Sequence, residues 1–344
     1  MNLFKADFFS NTSDNAIEIK LLSPSEINEF IKENFRNIST INHITRLSGL
    51  NLNSENFKVY TSEGVFLLKY WKFSQTNRIN EICNILERLN DLDVVVPSPV
   101  RSDSGNFYEK FGSDNISVFK YIFGKSFKPN MNKLSFYFES VGELFYCLSK
   151  LKSTEAYAAQ IPSTALIFKS IDKLLSSNSI LNEKYSDELG DFQKILSSLE
   201  KDANIYNNIL DLNFKQYCHS DLHPKNILSL SANKYAFLDF DSCYVSNPNI
   251  SWGFMLLKIL REVVSSSNQT INPTELGRNT LLSLKRIEFA KSLLIEQLPI
   301  FGRMEVLRRL AYIVDDFEDN NSKIWLDMLP IQISVILESY HLFE

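Results

Sequence analysis

Apolar residues recur at helical spacing in some stretches of this chain and at every second position in others, and the changes of period divide it. The run Ser23-Pro24-Ser25-Glu26 sets a hydroxyl, a proline and a glutamate in the order of a capping box, which predicts a helix opening at Ser23. From about Ile41 the period turns strand-like. Phe57 to Thr61, then Ser62-Glu63-Gly64, then Val65 to Trp71 predicts a hairpin closed by a short turn. Residues 76–90 return to helical spacing, with Ile79, Ile82, Ile85, Leu86 and Leu89 on one stripe. Val94-Val95-Val96-Pro97 then leads into further short strands, the last from Ile116 to Ile122.

Beyond Leu134 helices dominate. Val141, Leu144, Phe145, Leu148 and Leu151 share one face, as do Leu256, Ile259, Leu260 and Val263. A single β island, Phe214 to Leu238, interrupts them. The pattern predicts an α+β, bilobal chain: a β-rich N-terminal lobe with one helix inserted (1–122, with a helical extension at its start) and a larger, mainly helical C-terminal lobe (123–344). Phe123-Gly124-Lys125-Ser126 is the expected connector.

Composition narrows the class without naming a chemistry. With 344 residues and 44% hydrophobic content the chain can bury a sizeable core, and 22% charged residues is ordinary for a globular protein. A net charge of -5 offers no electrostatic footprint for nucleic acid. No run of about 18 apolar residues is present, so no membrane span is expected. The first twenty residues lack the apolar core and cleavage site of a secretory signal. Cys83, Cys147, Cys218 and Cys243 are scattered, with no C-x-x-C pair, which reads as buried thiols in a reducing compartment. The cytoplasm is the expected location, and oligomeric state is left open.

The chemistry lies in the β island, which reads Tyr217-Cys218-His219-Ser220-Asp221-Leu222-His223-Pro224-Lys225-Asn226-Ile227-Leu228 and then, after a turn, Tyr235-Ala236-Phe237-Leu238-Asp239-Phe240-Asp241. Polar groups gather where apolar strands end. Phosphoryl transfer needs one group to orient and deprotonate the attacking hydroxyl, and hard oxygen donors for Mg²⁺. Asp221 suits the first task; Asn226 and Asp239 suit the second. Each residue alone would be an ordinary turn former. The same segment holds His219, Asp221, His223, Asp239 and Asp241, a set of Zn or Fe ligand types that suggests a metal-dependent hydrolase as a remote alternative.

His219-x-Asp221-x-x-x-x-Asn226 followed by Asp239-Phe240-Asp241 resembles the aminoglycoside-phosphotransferase, choline-kinase and homoserine-kinase superfamily, small-molecule kinases with a protein-kinase-like fold. The variant Asp-Leu-His-Pro-x-Asn favours the small-molecule branch over the protein kinases. The resemblance implies that Asp221 is the catalytic base, that Asn226 and Asp239 hold Mg²⁺, and that His219 and Asp241 support the loop. It implies ATP, or GTP, as donor and a small-molecule hydroxyl as acceptor. In the N-terminal lobe it asks for a strand lysine and a helix glutamate. Lys69, in the apolar run Gly64 to Trp71, fits the first, with Lys72 behind it; Glu81 fits the second, with Glu87 as its competitor. The loop Ser48 to Asn56, including Gly49 and Ser54, would cover the phosphates, and the backbone at Lys120 and Ile122 would meet the adenine edge.

One position departs from the family. Where it carries Asp-Pro-x-x-Asp, this chain has Asn247-Pro248-Asn249-Ile250-Ser251, so Ser251 replaces the carboxylate that supports the catalytic loop. That departure, with the glycine-poor loop, motivates a second alternative, a pseudokinase that binds nucleotide without turnover. On the acceptor side, Asp315, Asp316, Glu318 and Asp319 would attract a cation or merely solvate a helix end. Arg303, Arg308 and Arg309 read equally well as facing water.

Overall fold

The computed structural model describes residues 22–38, 40–47, 54–72, 76–152, 158–176, 179–210, 215–267 and 271–344. Among these, the chain resolves into two compact units. One holds residues up to Lys125 together with Ala236–Asp241; the other holds Ser126–Tyr235 and Ser242–Glu344.

The N-terminal unit is an antiparallel sheet with one helix before its strands and one inserted among them. Helix α1 (Pro24–Asn34) opens on the expected capping box: the Ser23 hydroxyl accepts from the Glu26 N–H at 3.2 Å, and the Glu26 carboxylate accepts from the Ser23 N–H at 2.8 Å. The strands are β1 (Ile41–Leu47), β2 (Ser54–Thr61) and β3 (Gly64–Trp71), then, after α2 (Thr76–Asp91), β4 (Pro99–Val100), β5 (Glu109–Phe111) and β6 (Asp114–Lys120). Their order is β1-β2-β3-β6-β4, with β5 also on β6. Gly64 begins β3 at φ 141°, a backbone state that side chains resist, which is why the turn after Ser62-Glu63 is built on a glycine.

Alternation along the strands separates two faces. Phe57, Val59, Phe66, Leu68, Ile116 and Val118 form a core with Ile27, Phe30 and Ile31 of α1. The first helix is therefore part of this unit's core, covering a sheet face that would otherwise be wet. The opposite face carries Lys69, in register with Asn56 on β2 and Ser117 on β6.

After the two-residue strand β7 (Lys125–Ser126), the second unit runs through α3 (Leu134–Ser149), α4 (Thr164–Leu175), α5 (Ile180–Lys184), α6 (Ser186–Lys194) and α7 (Leu196–Leu210). The island then supplies β8 (Gln216–His219), β9 (Ile227–Ser229), β10 (Tyr235–Phe237) and β11 (Cys243–Ser246). Helices α8 (Pro248–Ser266), α9 (Pro273–Leu284), α10 (Leu298–Asn320) and α11 (Leu329–Phe343) complete it. The predicted α+β class, strands first and helices after, is what the chain adopts. The core gathers Ile171, Leu199, Phe254, Leu257, Phe301, Leu307, Ile333 and Ile336 from α4, α7, α8, α10 and α11. Among the described residues no helix is long and apolar enough to cross a membrane.

Candidate active site

Strand β8 pairs with β11 so that His219 lies opposite Cys243, and the next N–H, of Ser220, donates to the Ser242 carbonyl at 3.0 Å. The chain then leaves the sheet and folds back on itself. The Asn226 amide NH₂ donates to the Asp221 carbonyl at 2.9 Å, and the Asn226 N–H to the His223 carbonyl at 2.9 Å. The five-residue spacing read from the sequence is thus a closed loop. Its closure uses the nitrogen end of the Asn226 amide, so the oxygen end, an acceptor or metal ligand by its chemistry, plays no part in it.

Two histidines brace this loop from within. His219 is fully buried, and its Nδ1 accepts from the Asp221 N–H at 3.4 Å. His223 caps the short turn Pro224–Asn226, its Nδ1 accepting from the Lys225 N–H at 3.3 Å. With Nδ1 an acceptor, the ring proton sits on Nε2, which lies 3.6 Å from Asp221 Oδ2.

The other Asp221 oxygen belongs to a residue whose surroundings the sequence left open. Arg309, on α10, donates from Nη1 to Asp221 Oδ1 at 2.8 Å and from Nη2 to the Ser220 carbonyl at 2.7 Å. Its Nε donates to Glu305 at 2.9 Å, and its guanidinium lies 3.9 Å from the centre of the Phe254 ring. Burial by itself would raise the Asp221 carboxyl, but the Arg309 charge and the hydrogen bonds from His223 and Arg309 outweigh it and hold the group well below the usual carboxylate range. Glu305 is lowered in the same way: burial opposes ionisation, and Arg308 and Arg309 overcome it. Arg308 is also paired, to Glu305 at 2.7 Å. Arg303 is only 3% exposed, against Asp202 at 2.6 Å. The question the sequence left open for these three arginines is therefore decided: each is paired with a carboxylate. Glu305 followed at i+3 and i+4 by two arginines was the sequence signal, since such spacing puts all three on one helix face.

The N-terminal unit gathers a second group. Lys69 is 6% exposed, with its Nζ 4.4 Å from the centre of the Trp71 ring. It donates to Asp241 and, at 3.4 Å, to Asp239. Burial would lower the Lys69 ammonium; the two carboxylates more than compensate and raise it. Asp239 has φ 60°, a left-handed conformation that aspartate tolerates better than most residues. Glu81 is bound by Arg78, whose other nitrogen donates to the Asp241 carbonyl at 2.9 Å. Glu87 pairs instead with Arg101 at 2.9 Å on the surface, and Lys72 with Glu55 at 2.7 Å.

The remaining expected positions are simply located. Ser54 is 2% exposed at the start of β2, and its hydroxyl has no hydrogen-bond partner among the described residues. Gly49 lies outside the described residues. The Lys120 N–H donates to the Ser98 carbonyl at 2.8 Å, so it serves the sheet; Ile122 follows two residues on, half-buried. Ser251 is buried in the first turn of α8. Of the acidic cluster, Asp315 is taken by Ser170 at 2.7 Å and Lys173 at 3.1 Å. Among the described residues no three His, Cys, Asp or Glu side chains are placed to hold one metal ion.

Comparison with known proteins gives this arrangement relatives. A family model described as the phosphotransferase enzyme family matches residues 43–250. No curated protein sequence matches the chain. Among solved structures, a spectinomycin phosphotransferase in complex with ADP and spectinomycin has a TM-score of 0.61 at 12% identity, covering 92% of this chain and 94% of its own. An amicoumacin kinase in complex with AMP-PNP and Ca²⁺ has a TM-score of 0.60 at 14% identity, covering 87% and 89%. A choline kinase from Streptococcus pneumoniae has 0.54 at 16% identity, covering 91% and 98%.

Proposed function

The chain belongs to the phosphotransferase enzyme family, and from that premise we propose that it is a small-molecule kinase moving the γ-phosphoryl group of ATP, or GTP, to a hydroxyl. The observation that carries this reading is Lys69: a lysine buried in an apolar strand, held to carboxylates 170 and 172 residues away in sequence. Burying an ammonium is costly, and a structural role would be filled more cheaply by an apolar side chain. A cation held at that point suits the α- and β-phosphates of a nucleotide. The similar structures hold ADP with spectinomycin in one case and AMP-PNP in the amicoumacin kinase, which supports a nucleotide donor and a small acceptor.

In this reading Asp221 takes the proton. The acceptor oxygen bonds to the γ-phosphorus as the bond to the β,γ-bridging oxygen breaks, and its proton passes to the carboxylate, leaving a nucleoside diphosphate. Asp221 arrives ionised, as a base must. Asn226 and Asp239 each suit Mg²⁺ by donor type: the Asn226 amide is oriented through its nitrogen end, and the Asp239 carboxylate is a hard donor of the kind taken by an ion that keeps water and phosphate oxygens. When bound, Mg²⁺ would neutralise charge building on the leaving phosphate oxygens. At the adenine edge, Lys120 has spent its N–H on Ser98, so its carbonyl and the Ile122 N–H are the groups left for a base. Four buried cysteines, none in a disulfide, suit a reducing compartment, and we place the reaction in the cytoplasm.

The test is a screen of sugars, amino sugars, amino alcohols and aminoglycosides with ATP and GTP in Mg²⁺, read by mass spectrometry for phosphorylated product. Wild type should yield product and Asp221→Ala should not. Equal signals across the panel would remove the kinase reading and leave the nucleotide-binding module.

A further inference from the structure

We propose that Arg309 is a positioning residue for phosphoryl transfer, fixing one oxygen of Asp221 so that the other faces the acceptor. The inference rests on the reading of Asp221 as the proton acceptor. It adds a residue from α10, 88 positions further along the chain, to the transfer step.

The geometry is that of a guanidinium used at every edge. Nη1 holds Asp221 Oδ1 at 2.8 Å and Nη2 holds the Ser220 carbonyl at 2.7 Å, so one planar group ties both the side chain and the backbone of the reacting segment. A lysine would offer a point charge and no fork. Arg309 is itself held: Nε is on Glu305, a residue 5% exposed, and the plane rests on Phe254 of α8 at 3.9 Å. With Oδ1 engaged, Oδ2 is the oxygen left to receive a proton, and His223 Nε2 stands 3.6 Å from it.

A carboxylate on a short loop turns about two side-chain bonds. Freezing it in the reactive orientation removes that freedom before the acceptor arrives, and misplacing a reacting group by about 1 Å can cost 10²-fold in rate. Ser251, buried and neutral at the start of α8, offers the loop no charge. Arg309 supplies one from the neighbouring helix.

The experiment measures MgATP turnover with water in the acceptor's place, following ADP release, in wild type, Arg309→Ala, Arg309→Lys, Glu305→Gln and Asp221→Ala. We expect Arg309→Ala to lower kcat by roughly 10- to 100-fold with the KM for MgATP within about twofold of wild type. Arg309→Lys should fall between, and millimolar guanidinium should restore part of the rate to Arg309→Ala but none to Asp221→Ala. Glu305→Gln, which keeps Arg309 but loosens its anchor, should lower kcat by a smaller factor and covers the case in which Arg309→Ala does not fold. If wild type is no faster than Asp221→Ala, the reading of Asp221 fails and this inference goes with it. If Asp221→Ala is dead while Arg309→Ala and Glu305→Gln keep the wild-type kcat, only this inference is overturned. Loss of kcat with a matching rise in KM and no guanidinium response would overturn it too, marking Arg309 as structural.

Discussion

Gly253 on α8 and Gly302 on α10 meet backbone to backbone. A Cβ on Gly253 would lie 2.4 Å from the Leu298 carbonyl oxygen and 2.5 Å from the Gly302 nitrogen; one on Gly302 would lie 2.5 Å from the Gly253 oxygen. The two helices cross where neither has a side chain. That close approach sets the height of α10, and Arg309 lies about two turns beyond it, facing Asp221 and stacked on Phe254 of the partner helix.

Gly302→Ala should therefore destabilise the fold by at least ~2 kcal/mol, because the methyl group meets backbone, which cannot step aside as a side chain can. Gly190 on α6 is the control. A Cβ there meets nothing within 4 Å, and alanine should be neutral or stabilising by up to about 1 kcal/mol. Urea denaturation of the two variants checks the contrast. Equal stability would mean that the helices do not cross this closely.

Arg303 and Asp202 form a bidentate pair at 2.6 and 3.2 Å, with the Tyr340 hydroxyl donating to Asp202 at 3.1 Å and its ring 4.2 Å from the guanidinium carbon. Arg303→Met strands a buried carboxylate and should cost about 3–5 kcal/mol. Adding Asp202→Asn removes the stranded charge and should recover part of that loss. A double-mutant cycle measures it. Additive losses would show that the pair is not coupled.

Burial pushes the Cys83 thiol up to about 12 from an ordinary 9.0, and raises Cys147 and Cys218 as well. All four cysteines are buried and none forms a disulfide. At pH 8 Cys83, Cys147 and Cys218 should stay protonated and react with a disulfide reagent only as fast as the protein unfolds. The linkage has a definite sign. A thiol raised in the folded state contributes stability that is fully present below its unfolded pKa and is lost as pH rises through the folded one. The urea midpoint should thus fall between about pH 9 and 12. Rapid stoichiometric labelling of the native protein would contradict the burial.

Lys69→Met removes the counter-charge of Asp239 and Asp241 and the cation proposed for the nucleotide phosphates. Turnover of MgATP should fall roughly 100-fold, the size of one preorganised electrostatic contact. Calorimetric titration with MgATP should show weaker binding in the same variant. Unchanged binding and turnover would leave Lys69 a structural ion pair and weaken the nucleotide reading.

What the sequence settled was local or compositional. The capping box at Ser23 spans three residues, the hairpin at Gly64 depends on one backbone angle, and the loop from Asp221 to Asn226 closes over five. Interactions this short are written in spacing alone. That Lys69 is buried was legible too, because the apolar residues around it leave little choice.

Tertiary structure decided which distant groups meet. It carried Ala236–Asp241 into the N-terminal unit, where Asp241 reached Lys69. It laid α1 on the sheet, making an apparent extension part of the core. It turned Arg309, which spacing alone left as one charge on an amphipathic helix, toward Asp221. The helical period says which residues share a face but not what that face meets. Here the answer depended on two glycines that let α8 and α10 touch, a contact 49 residues long in sequence (253 to 302) that no local pattern encodes.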